Sequence, residues 1–377
     1  MVWLFWGGVA FLAYTSVGYP FLLWVLSLFR NRKHRRAPIW PSVSLIIPAH
    51  NEGEQIRRKV LNTLELTYPP DKREILVASD GSNDDTVSIV RGYAEEGVKL
   101  VEIPEKHGKH YAQMIARDRS QGEILVFTDV SAILECNALE KIVSNFADPS
   151  IGCISSEDQV LATGGRQGGE VSYIQYDKWM RRLESQVGSL VSLSGSFFAA
   201  RREVCAQWNP VQSSDFFLAL QAVSQGFRAV VDPECWSHYS LTYPERVEFA
   251  RKVRTMVHGL DVVFSNWKLL NPFRYGFFSW QLLSHKLFRW LAPFAFLSIV
   301  ISGLFLWDAG WFYRLVLVAL LCLYGCGLLA WSSDRASEVK PLRLAAYFLL
   351  GNVAAMYAWF KYCSGERFAT WEPTPRR

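Results

Sequence analysis

The sequence predicts an α/β fold, a mostly parallel sheet flanked by helices, carried between amino- and carboxyl-terminal transmembrane helices. Three observations support it. Short β-branched and apolar runs alternate with amphipathic stretches between Val43 and Thr128. A charge-free stretch runs from Val2 to Phe29, and three further apolar stretches crowd the carboxyl-terminal part. Large aromatics are abundant, with 15 Trp and 24 Phe, which suits a membrane interface better than an ordinary water-soluble chain.

The first element is the stretch within 1–29, and a helix needs only about 20 apolar residues to cross the hydrocarbon layer. It is longer than the roughly 7–15 apolar residues of a signal-peptide core and lacks a short basic start, so an uncleaved anchor is expected. Arg30, Arg32, Lys33, Arg35 and Arg36 follow at once. The bias of such cations toward the cytoplasm places the amino terminus on the outside.

From 41 to 266 apolar runs are short and charges frequent, which marks a water-soluble domain. Val43 to Ile47 reads as a strand stopped near Pro48, and Gln55 to Leu66 as the helix after it. The pattern repeats: Glu74 to Ala78 then Asp84 to Tyr93, Lys99 to Ile103 then Lys109 to Arg119, and finally Ile124 to Thr128. Ligands gather at the carboxyl ends of such parallel strands. Polar clusters stand there: His50, Asn51 and Glu52; then Asp80, Gly81 and Ser82; then Asp129.

Each cluster also has an ordinary explanation. Asn51 can cap a helix, and Asp80 with Gly81 can form a plain turn. Asp129 is harder to explain in that way, because a carboxylate closing the buried-looking run Ile124 to Phe127 needs a partner to offset desolvation. Three clusters at three neighbouring strand ends point jointly to a ligand. Asp215 alone would read as an exposed acid in the first turn of a helix from Ser214 to Gln225, where the helix dipole favours it.

Beyond the domain, 267–289 mixes aromatics and cations, with Trp280, His285, Lys286 and Arg289 in the stretch Phe277 to Trp290. It reads as an amphipathic segment in the head-group layer. Within 290–362, Trp290 to Leu306, Trp311 to Trp331 and Leu344 to Phe360 are each long enough to span. The tail is 363–377. Four crossings that start outside would leave this tail outside.

Charge and cysteine content exclude several classes. The net charge of +5 is matched in number by the cations after the first helix, so no broad basic face for nucleic acid is expected. The seven cysteines contain no CxxC pair, which argues against structural zinc and a disulfide framework. There is no GxGxxG after a strand, and Gly108 with Lys109 lacks the spacing of a Walker loop. Gly164, Gly165, Gly168 and Gly169 read as a loop tip rather than a phosphate cradle.

The runs VSLIIPAHNEGEQIRRKVLNTL (Val43 to Leu64) and ILVASDGSNDDT (Ile75 to Thr86) resemble the start of a family 2 glycosyltransferase domain of the GT-A type. The likeness continues through GKHYAQMIA (Gly108 to Ala116), ILVFTDVSA (Ile124 to Ala132), SLSGSFFAARREV (Ser192 to Val204) and SSDFFLALQAVSQGFRAVVDPE (Ser213 to Glu234). The flanking apolar helices resemble the polysaccharide-synthase subgroup of that family.

By this resemblance the fold is a GT-A nucleotide-sugar-binding domain, and Ala49, Glu52 and Asp80 hold the nucleoside of the donor with Lys109 beside it. Asp129 matches the first acid of the DxD element that binds the donor diphosphate and a divalent cation, Mg2+ or Mn2+. Ser131 stands where the second acid would be, and a hydroxyl is a weaker ligand than a carboxylate. Asp215 matches the general base. Arg254 matches the arginine of a QxxRW motif that pairs with the diphosphate, while Arg251 replaces its glutamine and Thr255 its tryptophan.

The implied activity is inverting transfer of a hexosyl unit, with UDP the expected carrier, to a lipid-linked or glycan acceptor in polysaccharide or glycolipid synthesis. The missing tryptophan at Thr255 leans away from the alternative of a processive synthase. A second alternative is an inactive nucleotide-sugar-binding subunit of a synthase complex. The resemblance further implies a multi-pass protein of the bacterial inner membrane, with the catalytic domain and the tail segment WEPTPRR (Trp371 to Arg377) cytoplasmic. That tail placement conflicts with four crossings.

Overall fold

The computed structural model describes residues 1–161, 168–240 and 245–366. The tail segment 371–377 and the glycines 164 and 165 lie outside the described residues. Gly168 and Gly169, expected in a loop tip, instead open a helix.

The chain starts with a helical run α1 (Val2–Phe29) that widens to a π turn at Tyr14–Gly18, immediately before Pro20. A proline ring clashes with the preceding turn of an α-helix, and a widened turn is one way to absorb it. The domain then builds up as β1 (Val43–Ala49), α2 (Gly53–Leu64), β2 (Arg73–Asp80), α3 (Thr86–Arg91) and β3 (Val98–Ile103). Next come α4 (Lys109–Arg119), β4 (Ile124–Thr128), the short β5 (Ile133–Leu134), α5 (Ala138–Ser144), β6 (Ile151–Ser156) and β7 (Gln159–Leu161). The domain closes with α6 (Gly168–Val187), β8 (Phe197–Arg201), α7 (Ser214–Ser224), β9 (Arg228–Asp232), β10 (Ser237–Ser240) and α8 (Glu245–Ser265).

Seven strands form one sheet in the order β3-β2-β1-β4-β8-β6-β9, and β5-β10-β7 form a small second sheet. The pairs β1–β2, β2–β3, β1–β4 and β6–β9 are parallel, whereas β8 runs antiparallel to both β4 and β6. Side chains alternate across a strand, and both faces of this sheet are covered. Leu45, Ile47 and Val77 enter one core, while Ile46, Leu76 and Ala78 enter the other. The sheet thus has no solvated face at its centre, and its polar groups are confined to strand ends.

Among the described residues three helical runs are long and apolar enough to cross a membrane: α1, α9 (Phe277–Phe305) and α10 (Trp311–Ser332). The stretch expected to lie separately in the head-group layer is continuous with the span after it, through a second π turn at Leu283–Leu287. Tyr14 of the first π turn meets Ser284 of the second, with Oη and Oγ 2.7 Å apart.

The fourth crossing expected at Leu344 to Phe360 takes a different course. It lies in α11 (Lys340–Cys363), which falls outside those three apolar runs. Near its start, the backbone of Ala345 closes on Gly327 in the last turns of α10. Near its end, Trp359 Nε1 donates to the carbonyl of Trp290, at the middle of α9, at 3.0 Å. Between these points Phe348 packs on Phe296 of α9 and Tyr324 of α10. One end of α11 thus rests against the last turns of α10 and the other against the middle of α9, and Val253 and Val257 of α8 pack on Ala354 and Ala358.

Candidate active site

The carboxyl ends of β1, β2 and β4 lie side by side, and their loops are tied to one another. Asn51 takes a left-handed backbone (φ 51°), a conformation that Asn tolerates better than most residues, and its side-chain oxygen accepts the N–H of Asn83 at 2.9 Å. The N–H of Glu52 donates to Thr86 Oγ1 at 2.8 Å, and His50 Nδ1 lies 2.5 Å from the carbonyl of Asp80. Ala49 is buried in the core, which leaves its backbone as its only polar group at this strand end.

Four consecutive residues, His107 to His110, at the turn into α4 contact two of the acids that the sequence singles out and the start of the helix that carries the third. The N–H groups of His107 and Gly108 donate to the two carboxylate oxygens of Asp80, at 2.9 and 2.6 Å, and Asp80 is buried. Lys109 Nζ pairs with Asp129 Oδ1 at 2.5 Å and donates to the carbonyl of Gly195 at 2.9 Å. His110 Nδ1 accepts the N–H of Ser214 at 3.2 Å and so caps α7, whose second residue is Asp215. Gly108 makes this possible with φ 108°, a backbone that favours glycine.

Asp215 closes the circle. Its Oδ1 accepts the hydroxyl of Ser213, and its Oδ2 lies 3.5 Å from where a Cβ on Gly195 would sit. Gly195 is also the residue whose carbonyl holds Lys109, so Asp129, Lys109 and Asp215 converge around one glycine. A Cβ at Gly195 would come into van der Waals contact with the Asp215 carboxylate.

Two imidazoles border Asp215. The pKa of His110 is pushed down to about 3, chiefly by desolvation, with the charge of Lys109 adding and that of Asp215 opposing. A backbone N–H can only donate, so Nδ1 of His110 is the unprotonated nitrogen. His258 on α8 also sits below its ordinary pKa, again mainly through desolvation, and it feels both Arg254 and Asp215. Arg254, one turn before His258, thereby belongs to this neighbourhood. Arg251 turns its fork to Glu248, at 2.8 Å from both nitrogens.

Two further groups emerge from the structure. Lys59 of α2 is fully buried, and its Nζ donates to Thr128 Oγ1 at 2.8 Å and to the carbonyl of Ala132 at 2.5 Å, bracketing Asp129 and Ser131. Desolvation pulls its pKa down to about 7, with Asp129 opposing. Asp158 follows β6 and accepts four serine hydroxyls, from Ser156, Ser194, Ser196 and Ser237. The carbonyl of Ser196 accepts the N–H of Asp129 at 2.9 Å, so Asp158 stiffens the loop that carries Gly195. Its sequence signal, an acid just beyond the buried run Ile151 to Ser156, is of the same kind that marks Asp129.

Among the described residues no group of three or more His, Cys, Asp or Glu could hold a metal ion by itself. Asp129 offers a partly exposed carboxylate with Ser131 two residues on. Such a donor set fits a divalent cation whose remaining ligands are phosphate oxygens and water.

Residues 44–208 match the family model described as glycosyl transferase family 2. An N-acetylglucosaminyltransferase of Rhizobium sp. (strain N33) is 27% identical over 172 residues, 44% of this chain and 38% of that protein. A beta-monoglucosyldiacylglycerol synthase of Trichormus variabilis is 24% identical over 310 residues, 77% of this chain and 64% of that protein. The chain thus spans less than two thirds of the length of these relatives. A solved mannosyltransferase from Pyrobaculum calidifontis, in complex with GDP-Man and Mn2+, shares the fold over 97% of this chain and 100% of its own, with 24% identity and a TM-score of 0.74.

Proposed function

We propose that this chain, whose residues 44–208 form a family 2 glycosyltransferase domain, moves a hexosyl unit from a nucleotide-sugar to a membrane-associated acceptor with inversion at the anomeric carbon. The observation that carries this reading is the convergence of Asp129, Lys109 and Asp215 around Gly195, at the end of a parallel sheet where ligands collect. UDP is the carrier expected from the sequence, and GDP is the alternative suggested by the solved mannosyltransferase.

In this reading the nucleoside lies over the ends of β1 and β2, against Glu52 and the backbone of Ala49, with Asp80 fixing the loop that carries Lys109. Lys109 and Arg254 supply positive charge to the diphosphate, and Arg251 extends the same helix face. A divalent cation beside Asp129 would neutralise charge that builds on the leaving group. Asp215 takes the proton from the acceptor hydroxyl as its oxygen bonds to the anomeric carbon. The bond from that carbon to the phosphate oxygen breaks, and the nucleoside diphosphate leaves with the electron pair.

Membrane placement follows from charge. With α1, α9 and α10 as crossings, the cluster Arg30 to Arg36 and the loop cations Arg335, Lys340 and Arg343 fall on one side together with the domain, as the distribution of cations favours. On this reading of three crossings α11 lies on the domain side, in keeping with the cytoplasmic tail that the resemblance implies.

The test is turnover of a panel of UDP- and GDP-sugars by the full chain in nanodiscs, read as nucleoside diphosphate release. Asp215→Asn should lower transfer by about 100-fold to 10,000-fold, the range for losing a general base, while donor affinity stays within twofold to threefold. Retained turnover in Asp215→Asn would remove the assigned base, and no release from any donor would remove the activity.

A further inference from the structure

An open cavity of about 420 Å³, with charged groups set in a largely apolar wall, lies between α1, α6, α8, α9 and α11. Its charged lining comprises Asp177, Lys252, Lys286 and Arg289, with His285 and Asn352 beside them. A second space, of about 610 Å³, opens between α9, α10 and α11 and is lined by hydrocarbon such as Leu297, Val300, Leu321 and Met356. Phe296 and Asn352 line both. A charged chamber that adjoins an apolar groove at the membrane helices has the shape of an amphiphile.

The charges of the chamber identify the head. Asp177 faces His285 Nε2 at 3.4 Å and Arg289 at 3.6 Å. Burial pushes its carboxyl upward, but the bond from His285 and the charges of His285, Arg289 and Arg181 hold it well below the ordinary carboxylate range. Lys252 pairs with Glu248 at 2.9 Å and donates to Tyr347 Oη at 3.0 Å. Lys286 is different: among the described residues no carboxylate lies within ion-pair distance of its ammonium, which rests 5.3 Å from the ring centre of Phe216. The charges of Asp177 and Glu184 reach the ammonium only from beyond ion-pair distance, and a cation within an apolar helix marks a functional position by default. Phe216 is the residue after Asp215, so this ammonium stands behind the helix that carries the assigned base.

We propose that the two spaces together seat one lipid, its phosphate-bearing headgroup on Lys286 in the charged chamber and its hydrocarbon in the groove beside Val300. That lipid is the acceptor, a part of the claim that rests on the transferase reading above. The binding site itself stands on the cavities and on Lys286 alone.

Binding is measured on the full chain in detergent, with native mass spectrometry and three probes: dioctanoyl phosphatidic acid, dioctanoylglycerol and inorganic phosphate. The phosphatidic acid should be retained, Lys286→Gln should weaken it at least tenfold, and Lys286→Arg should keep it within about threefold. Val300→Trp, which fills the groove and leaves the ammonium in place, should weaken it by a similar factor. Equal retention of dioctanoylglycerol would make this an apolar groove only, and equal binding of inorganic phosphate a free-anion site. Either result, or unchanged affinity in both Lys286→Gln and Val300→Trp, overturns the proposal. Nucleoside diphosphate release by hydrolysis of donor in the absence of lipid is scored separately. Lipid binding without any donor turnover would unseat the transferase reading, whereas turnover without lipid binding would unseat only this site.

Discussion

Protonating His110 is opposed on three sides: the ring is withdrawn from solvent, Lys109 is its chain neighbour, and its Nδ1 faces the positive end of α7. With a native pKa near 3 against an ordinary value of about 6.5, the unfolded chain takes up a proton that the native state refuses. Stability contributed by the neutral ring is therefore full above about pH 6.5 and is lost progressively as pH falls toward 3. His110→Gln should flatten the fall in Tm between pH 7 and pH 4.5 relative to the parent. Parallel Tm profiles would show that the ring does not titrate in this way. The acids Asp80, Asp129 and Asp215 were each legible as strand-end or helix-start carboxylates, and Asp158 carries the same strand-end signal, but His110 and Lys59 were not legible. Their roles depend on contacts with residues 104 and 69 positions away, and sequence spacing carries no trace of such distances.

The start of α4 is the element that the site depends on most, since one turn of helix serves Asp80, Asp129 and the cap of α7. Gly108→Ala forces a Cβ onto a backbone with φ 108°, at a cost of about 1–3 kcal/mol, and it tilts the amide that meets Asp80. Donor affinity should drop at least tenfold by equilibrium titration. Gly97→Ala, also at positive φ but with open space around it, should lower Tm without changing donor affinity. If both variants bind donor equally, the turn before α4 is not a positioning device. Elements on the first half of the sheet matched their sequence signals closely, with Ile124–Thr128 and Lys109–Arg119 coinciding end to end. The direction of β8 was not readable, because Phe197 to Ala200 is a buried run whose apolar pattern is the same whether the strand runs parallel or antiparallel.

At the scale of the whole chain, three crossings and four make opposite statements about one cysteine. Cys136 in the domain and Cys363 at the end of α11 are both exposed. A membrane-impermeant maleimide should label both from the same side of sealed vesicles. Labelling from opposite sides would restore α11 as a span. Hydropathy marked α11 as apolar, but it could not see that its two ends are tied to Gly327 of α10 and Trp290 of α9, since those are tertiary contacts. The facing π turns of α1 and α9 carry a consequence of their own. A π turn holds one residue more than an α turn, so a residue removed from either could be absorbed by relaxation to α geometry, with the helix beyond it still in phase. What would be lost is local: the bulged backbone that brings Tyr14 to Ser284. Such a deletion should therefore loosen the seam between the two helices while leaving the faces above and below it in register.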